Sequence, residues 1–172
     1  HISLAVERNK MYEEQFSDWK KWDKKNDADG IKYPEIYICI ISSEDCSEKK
    51  FSWLEQIVYI GMTNSIARLK GRLKQFDNTI VWKTGHGGAD WVRYKHQNYN
   101  KLVENLYVAV APLQCNVKSN QPKDLRIMGE VCKFEYDCFA HFVEKFDKLT
   151  KFNNKKKSKK YSLEIGRKTA NN

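Results

Sequence analysis

An acidic side chain in the middle of an apolar helical stripe needs a partner, and position 135 holds such a residue. Between Asp124 and Phe146, the residues Met128, Val131, Cys132, Cys138, Phe139, Phe142, Val143 and Phe146 recur at helical spacing. At about 100° per residue they fall within roughly 80° of Glu135, while Glu130 and Glu144 project from the far side. Taking a lone carboxylate out of water costs several kcal/mol unless a cation, a donor or a metal meets it. Two readings follow: Glu135 pairs with one of the many lysines and arginines, or it takes part in chemistry.

The elements that must position this acid are legible in the hydrophobic pattern. Residues 3 to 26 place Leu4, Tyr12, Phe16 and Trp19 at three- and four-residue multiples, which predicts an amphipathic helix ending before Asp27-Ala28-Asp29-Gly30. Pro34 precedes the run Glu35 to Ile41, and Ile57 to Gly61 forms a second run of strand length and composition. The segment between them is too short for a helical crossover, so an antiparallel pair is predicted, with Tyr37 and Tyr59 near neighbours. After Gly61, Asn64 or Ser65 is a candidate cap for a helix whose buried side is Ile66, Leu69, Leu73 and Phe76. Arg72 borders that side and Arg68 lies further toward water. A loop from Trp82 to Tyr99 precedes a third strand, Leu106 to Ala111, ended by Pro112; Pro122 and Asp124 then open the helix that carries Glu135.

Composition narrows the class. A chain of 172 residues suits one domain of ordinary size with extensions, and 41% hydrophobic residues are enough for a core. Its 31 Lys+Arg against 22 Asp+Glu leave a formal charge of +9, which favours an anionic partner. No apolar run approaches the roughly 20 residues that span a bilayer, and the first residues lack a secretory-signal pattern. Five cysteines without a C-x-x-C spacing argue against a disulfide framework and a zinc site, and fit a reducing cytoplasm. Cys39, Cys132 and Cys138 read as small core hydrophobes.

The tripeptides Glu35-Ile36-Tyr37 and Tyr59-Ile60-Gly61 resemble the paired signature of the GIY-YIG nucleases, with the second half intact and the first lacking its glycine. The order that follows is also similar to the family's: Arg72 within Arg-Leu-Lys-Gln-Phe, Gly85-His86-x-Gly88, then Glu135 and finally Asn153. The resemblance covers about residues 34 to 154. It departs from the pattern at Glu35, in a longer insert at 42 to 56, and in a slightly longer interval from Tyr59 to Arg72, which leaves Arg68 as the alternative arginine.

The resemblance implies an α+β fold at residues 31–154, a small three-stranded antiparallel sheet flanked by helices; outside the match, the residue pattern itself predicts an N-terminal helical extension at 1–30 and a basic tail at 155–172. It implies a divalent-metal-dependent DNA endonuclease of restriction, mobile-element, repair or effector type. Glu135 would hold one Mg²⁺ or Mn²⁺, Arg72 would clamp the phosphate, and Tyr37 or Tyr59 would orient or deprotonate the attacking water with His86 as the activating neighbour. Asn153 would finish the cleft by hydrogen bonding near the glutamate or the phosphate. Candidate nucleic-acid contacts are Arg68, Lys83, Trp91, Arg93, Lys95 and the tail lysines Lys155, Lys156 and Lys157. With one site per chain, cutting both strands calls for a homodimer or sequential nicking. The alternative reading is a non-catalytic nucleic-acid-binding module on the same scaffold.

Overall fold

The structure, a computed structural model, describes residues 12–81 and 85–153. Three runs rich in isoleucine and valine become strands because their β-branched side chains pack on both faces of a pleated surface. β1 (Lys20–Lys21), β2 (Glu35–Ile41), β3 (Ile57–Thr63) and β4 (Leu106–Pro112) form one antiparallel sheet in the order β1-β4-β2-β3. The helices are α1 (Arg68–Val81), α2 (Gly87–Lys95), α3 (Tyr99–Glu104) and α4 (Pro122–Phe146). The fold is α+β: a four-stranded antiparallel sheet with several helices, including a long C-terminal one.

Alternation along the strands sorts the core into two layers. Ile36, Ile38, Ile40, Ile60, Ala109 and Ala111 face α4, where Val131, Phe134, Cys138 and Phe142 cover them. Tyr37, Cys39, Tyr59, Val108 and Val110 face the other way, against Leu69, Leu73, Phe76 and Ile80 of α1 and Ala89 and Val92 of α2. Among the described residues no helix is long and apolar enough to cross a membrane.

The predicted β2–β3 pairing is antiparallel as expected, and β4 is the third strand. The first helix is not what the spacing of Phe16 and Trp19 suggested. Residues 12 to 15 are helical, but the chain then extends: Ser17 donates its amide to the Val110 carbonyl at 2.8 Å, and Lys20 and Lys21 pair with Val108 and Tyr107. A 3₁₀ helix follows at Trp22–Asp27. This extended path sends Trp19 into one core layer and Trp22 into the other, which one stripe of a helix cannot do. It also covers the β4 edge, whose peptide groups would otherwise lack partners. The expected three-stranded sheet is therefore four-stranded.

The segment from 82 to 99, expected as a loop, contains α2. His86 and Asn98 cap α2 and α3 by accepting amide hydrogens from Ala89 and Lys101. All five cysteines are free; Cys39 and Cys138 are buried as expected, but Cys132 is exposed.

Candidate active site

The cross-strand register brings the two tyrosines together. Tyr37 lies opposite Gly61 and Cys39 opposite Tyr59, so both phenols stand on the same face of the sheet as diagonal neighbours. Their ring centroids are 5.8 Å apart. Gly61 is what allows this approach: a Cβ there would lie 2.6 Å from Tyr37 Cζ and 2.7 Å from Tyr59 Cε1. Gly88 closes the other side, since a Cβ on it would come within 2.2 Å of Tyr59 Cε2. The second signature glycine and the last glycine of the Gly-His-x-Gly segment thus clamp one tyrosine ring.

His86 completes the cluster. Its Nε2 is 2.8 Å from the Tyr37 hydroxyl, and its Nδ1 accepts the Ala89 amide hydrogen at 3.2 Å. The ring also packs edge-on against Tyr59 and Phe76. Burial, and then the nearby Arg72 guanidinium, hold its pKa down at about 3, so the imidazole is neutral at physiological pH. Burial pushes both phenols above their ordinary pKa, Tyr37 strongly. Against burial of Tyr59 work a hydrogen bond from Tyr37 and the Arg72 charge, while Glu135 adds to it.

The Arg72 guanidinium is near enough for its charge to act on Tyr37, Tyr59 and His86. It donates from one terminal nitrogen to Gln75 Oε1 at 2.8 Å, whereas its Nε is buried without a hydrogen-bond partner. Gln75 in turn donates to the Gly85 carbonyl at 3.0 Å, tying α1 to the turn that carries His86. An open cleft of about 400 Å³ borders the arginine, lined by Thr63, Asn64, Gly71 and Gln75. Arg68, the alternative, is exposed at the first residue of α1.

Glu135 is half-buried, not central to the apolar stripe. The buried residues of α4 around it are Val131, Phe134, Cys138, His141 and Phe142, and at 100° per residue their mean direction is about 70° away. The glutamate therefore stands at the border between core and solvent, and its charge reaches the Tyr59 hydroxyl. α4 is registered on the sheet end by Asn64, whose amide donates to the Met128 carbonyl at 2.8 Å. Glu135 would offer a hard cation such as Mg²⁺ a single carboxylate ligand. Among the described residues, no group of three or more His, Cys, Asp or Glu side chains is placed to hold a metal ion.

Asn153 does not finish the cleft. Its Oδ1 accepts from the Ile60 amide and its Nδ2 donates to the Ile60 carbonyl, each at 2.8 Å, and the Thr150 hydroxyl also donates to Oδ1. With Phe152 donating to the Val58 carbonyl at 2.9 Å, residues 152 and 153 behave as a short extra partner for the free edge of β3. Its side chain is committed to the backbone beside Tyr59.

Among the expected nucleic-acid contacts, Trp91 is buried and packs edge-on against Phe152 at 5.3 Å, so it is a core residue and not a stacking platform. Arg93 is buried and Lys95 exposed on α2. Lys83, Lys155, Lys156 and Lys157 lie outside the described residues. Sequence reasoning gave Gln75 no role of its own, named Asn64 only as a helix cap and Gly88 only as part of a motif; the three-residue step from Arg72 to Gln75 was the signal available for the first. Comparison of the chain with protein-family models, with curated proteins and with solved structures finds no match.

Proposed function

We propose that this chain is a divalent-metal-dependent DNA endonuclease with a GIY-YIG-like fold, to which β1 is added at the sheet edge. One observation carries the reading: two phenols, a neutral imidazole and a guanidinium with a buried, unpartnered Nε share one face of the sheet, and a half-buried carboxylate is close enough to act on Tyr59. A structural arginine normally satisfies its donors, and an unpaired buried donor costs about 1–3 kcal/mol. A phosphodiester oxygen is a partner suited to that donor.

Hydrolysis of a phosphodiester needs an aligned water, neutralisation of the nonbridging oxygens and support of the leaving oxygen. Arg72 binds the phosphate and offsets its charge. A phenol at the cluster orients the water and, having first released its own proton to solvent, accepts the proton that the water gives up. The water oxygen then bonds to phosphorus, the bond to the leaving 3′ oxygen breaks, and that oxygen takes a proton from solvent. Glu135 would hold a divalent cation, which would supply polarisation of the scissile phosphate and support of the leaving oxygen. The clamp of Gly61 and Gly88 holds the Tyr59 ring in place for these steps.

The test is nicking of supercoiled plasmid with Mg²⁺ or Mn²⁺, with and without chelator. Wild-type protein is expected to nick only with metal; Glu135→Ala should abolish nicking and Arg72→Lys reduce it by about 10²-fold, both with folding and most DNA affinity retained. Undiminished cleavage by Glu135→Ala overturns the metal assignment. Salt-dependent DNA binding without any cleavage identifies the non-catalytic module instead.

A further inference from the structure

The long helix α4 carries two apolar stripes. One covers the sheet through Val131, Phe134, Cys138 and Phe142. The other is centred about 130° round the helix from the first and faces solvent. In it Leu125, Gly129, Cys132, Tyr136 and Val143 are exposed, and Phe139 and Phe146 are half-buried. Tyr136 keeps 69% of its surface and Leu125 50%. These positions advance by four and three residues in turn, a heptad repeat sustained over about 32 Å of helix. Single exposed hydrophobes are ordinary, but a seam of this period is what two-stranded helix pairing uses.

We infer that this seam of α4 docks a second copy of the chain as an antiparallel helix pair, about a twofold axis near residue 134. The inference goes beyond the nuclease reading and does not rest on it. Size complementarity carries it. With the helices antiparallel, Leu125 faces Val143 of the second copy, Gly129 faces its Phe139 and Cys132 faces its Tyr136, so small residues meet large ones. A parallel pair would set Tyr136 on Tyr136 and glycine on glycine. Gly129 is otherwise a cost: glycine inside a helix is about 1 kcal/mol worse than alanine. Nothing outside its own stretch of helix lies within 4 Å of the Cβ it lacks, which leaves room for a ring from the second copy. Charge agrees. On the flank away from Glu135, the bases Arg126 and Lys133 precede the acids Asp137 and Glu144, and Glu130 stands further back. The same antiparallel register sets Arg126 beside Glu144 of the second copy. It also sets Lys133, bound at 2.6 Å to Asp137 of its own helix, beside Asp137 of the other. A parallel pair would set like against like. The contact is isologous, so it closes at two copies. Asn64, which lines the Arg72 cleft, donates to Cys132 Sγ at 3.4 Å, so the cleft adjoins the seam. The twofold axis brings both clefts to one side of the helix pair, an arrangement suited to cutting two strands.

Sedimentation equilibrium of the full chain between about 1 and 100 μM should show a concentration-dependent dimer. Tyr136→Glu should weaken it by about 10²-fold or more with an unchanged circular dichroism spectrum, and Leu125→Glu, at the other end of the seam, should act alike. Arg126→Glu and Glu144→Arg should each weaken the dimer several-fold, and the double variant should recover most of that loss. Orientation is read by oxidising Tyr136→Cys and mapping the bond between chains. The expected link runs from the introduced thiol to Cys132 of the other copy. A bond joining two introduced thiols, or no link at all, overturns the antiparallel register. A monomer throughout the concentration range, or a dimer indifferent to both glutamate variants, overturns the docking surface. Neither DNA nor metal enters these measurements, so their failure is distinct from a failure of wild-type protein to nick plasmid.

Discussion

Glu35 offers the most quantitative check on this structure. It replaces the glycine expected in the first signature tripeptide and is entirely buried between Thr63 and Pro112 in the sheet register. Neither carboxyl oxygen has a hydrogen-bond partner, and Oε1 lies 3.2 Å from where a Cβ on Gly30 would stand. Burial raises its pKa from the ordinary 4.5 to about 9, so the folded protein holds it neutral at physiological pH. Because the folded pKa lies above the unfolded one, the stability it allows is fully present below about pH 4.5. That stability is lost progressively as pH rises to about 9. At about 1.4 kcal/mol for each pH unit, the loss by pH 7 is about 3 kcal/mol, a large part of the total stability of an ordinary domain. Glu35→Gln keeps the shape and removes the titration. Urea unfolding at about pH 5, 7 and 9 should show the variant within about 1 kcal/mol of wild type at the lowest pH. The variant should then gain stability on wild type as pH rises, with m unchanged. Groups that titrate equally in both proteins cancel in this difference. A difference that stays constant from the lowest to the highest pH would mean that Glu35 has an ordinary pKa, and the reasoning from burial would fail.

Two substitutions separate positioning from packing. Gly88→Ala should displace the Tyr59 ring, because its Cβ would overlap Tyr59 Cε2; a destabilisation of about 1–3 kcal/mol in thermal unfolding, with loss of nicking, is expected. Wild-type stability with full nicking would show that the ring is not clamped. Asn153→Ala leaves the Ile60 amide and carbonyl at the sheet edge without their partners and should cost about 1–3 kcal/mol. Its residual nicking should show an unchanged Mg²⁺ dependence; a shifted metal dependence would return Asn153 to the cleft beside the glutamate.

The sequence by itself determined the strands, their antiparallel pairing, the long helix of Glu135 and the set of side chains worth asking about. These are consequences of local composition and period, since β-branched runs and 3.6-residue spacing constrain the chain wherever it lies. Tyr37, Tyr59, Arg72 and His86 were nameable because their order along the chain resembles that of the GIY-YIG nucleases. Only the tertiary structure decided which of them meet, and how. The helical spacing of Phe16 and Trp19 yielded to the unpaired edge of β4, where backbone hydrogen bonds and two separate core layers outweighed local periodicity. Trp91 looked like a stacking residue until α2 turned it into the core, and Asn153 looked catalytic until the edge of β3 took its amide. Glu135 moved from the centre of the stripe to its border because the buried direction of a helix is set by what packs on it. The seat of His86 between the Tyr37 hydroxyl and the Ala89 amide is a contact between elements that no spacing along the chain encodes.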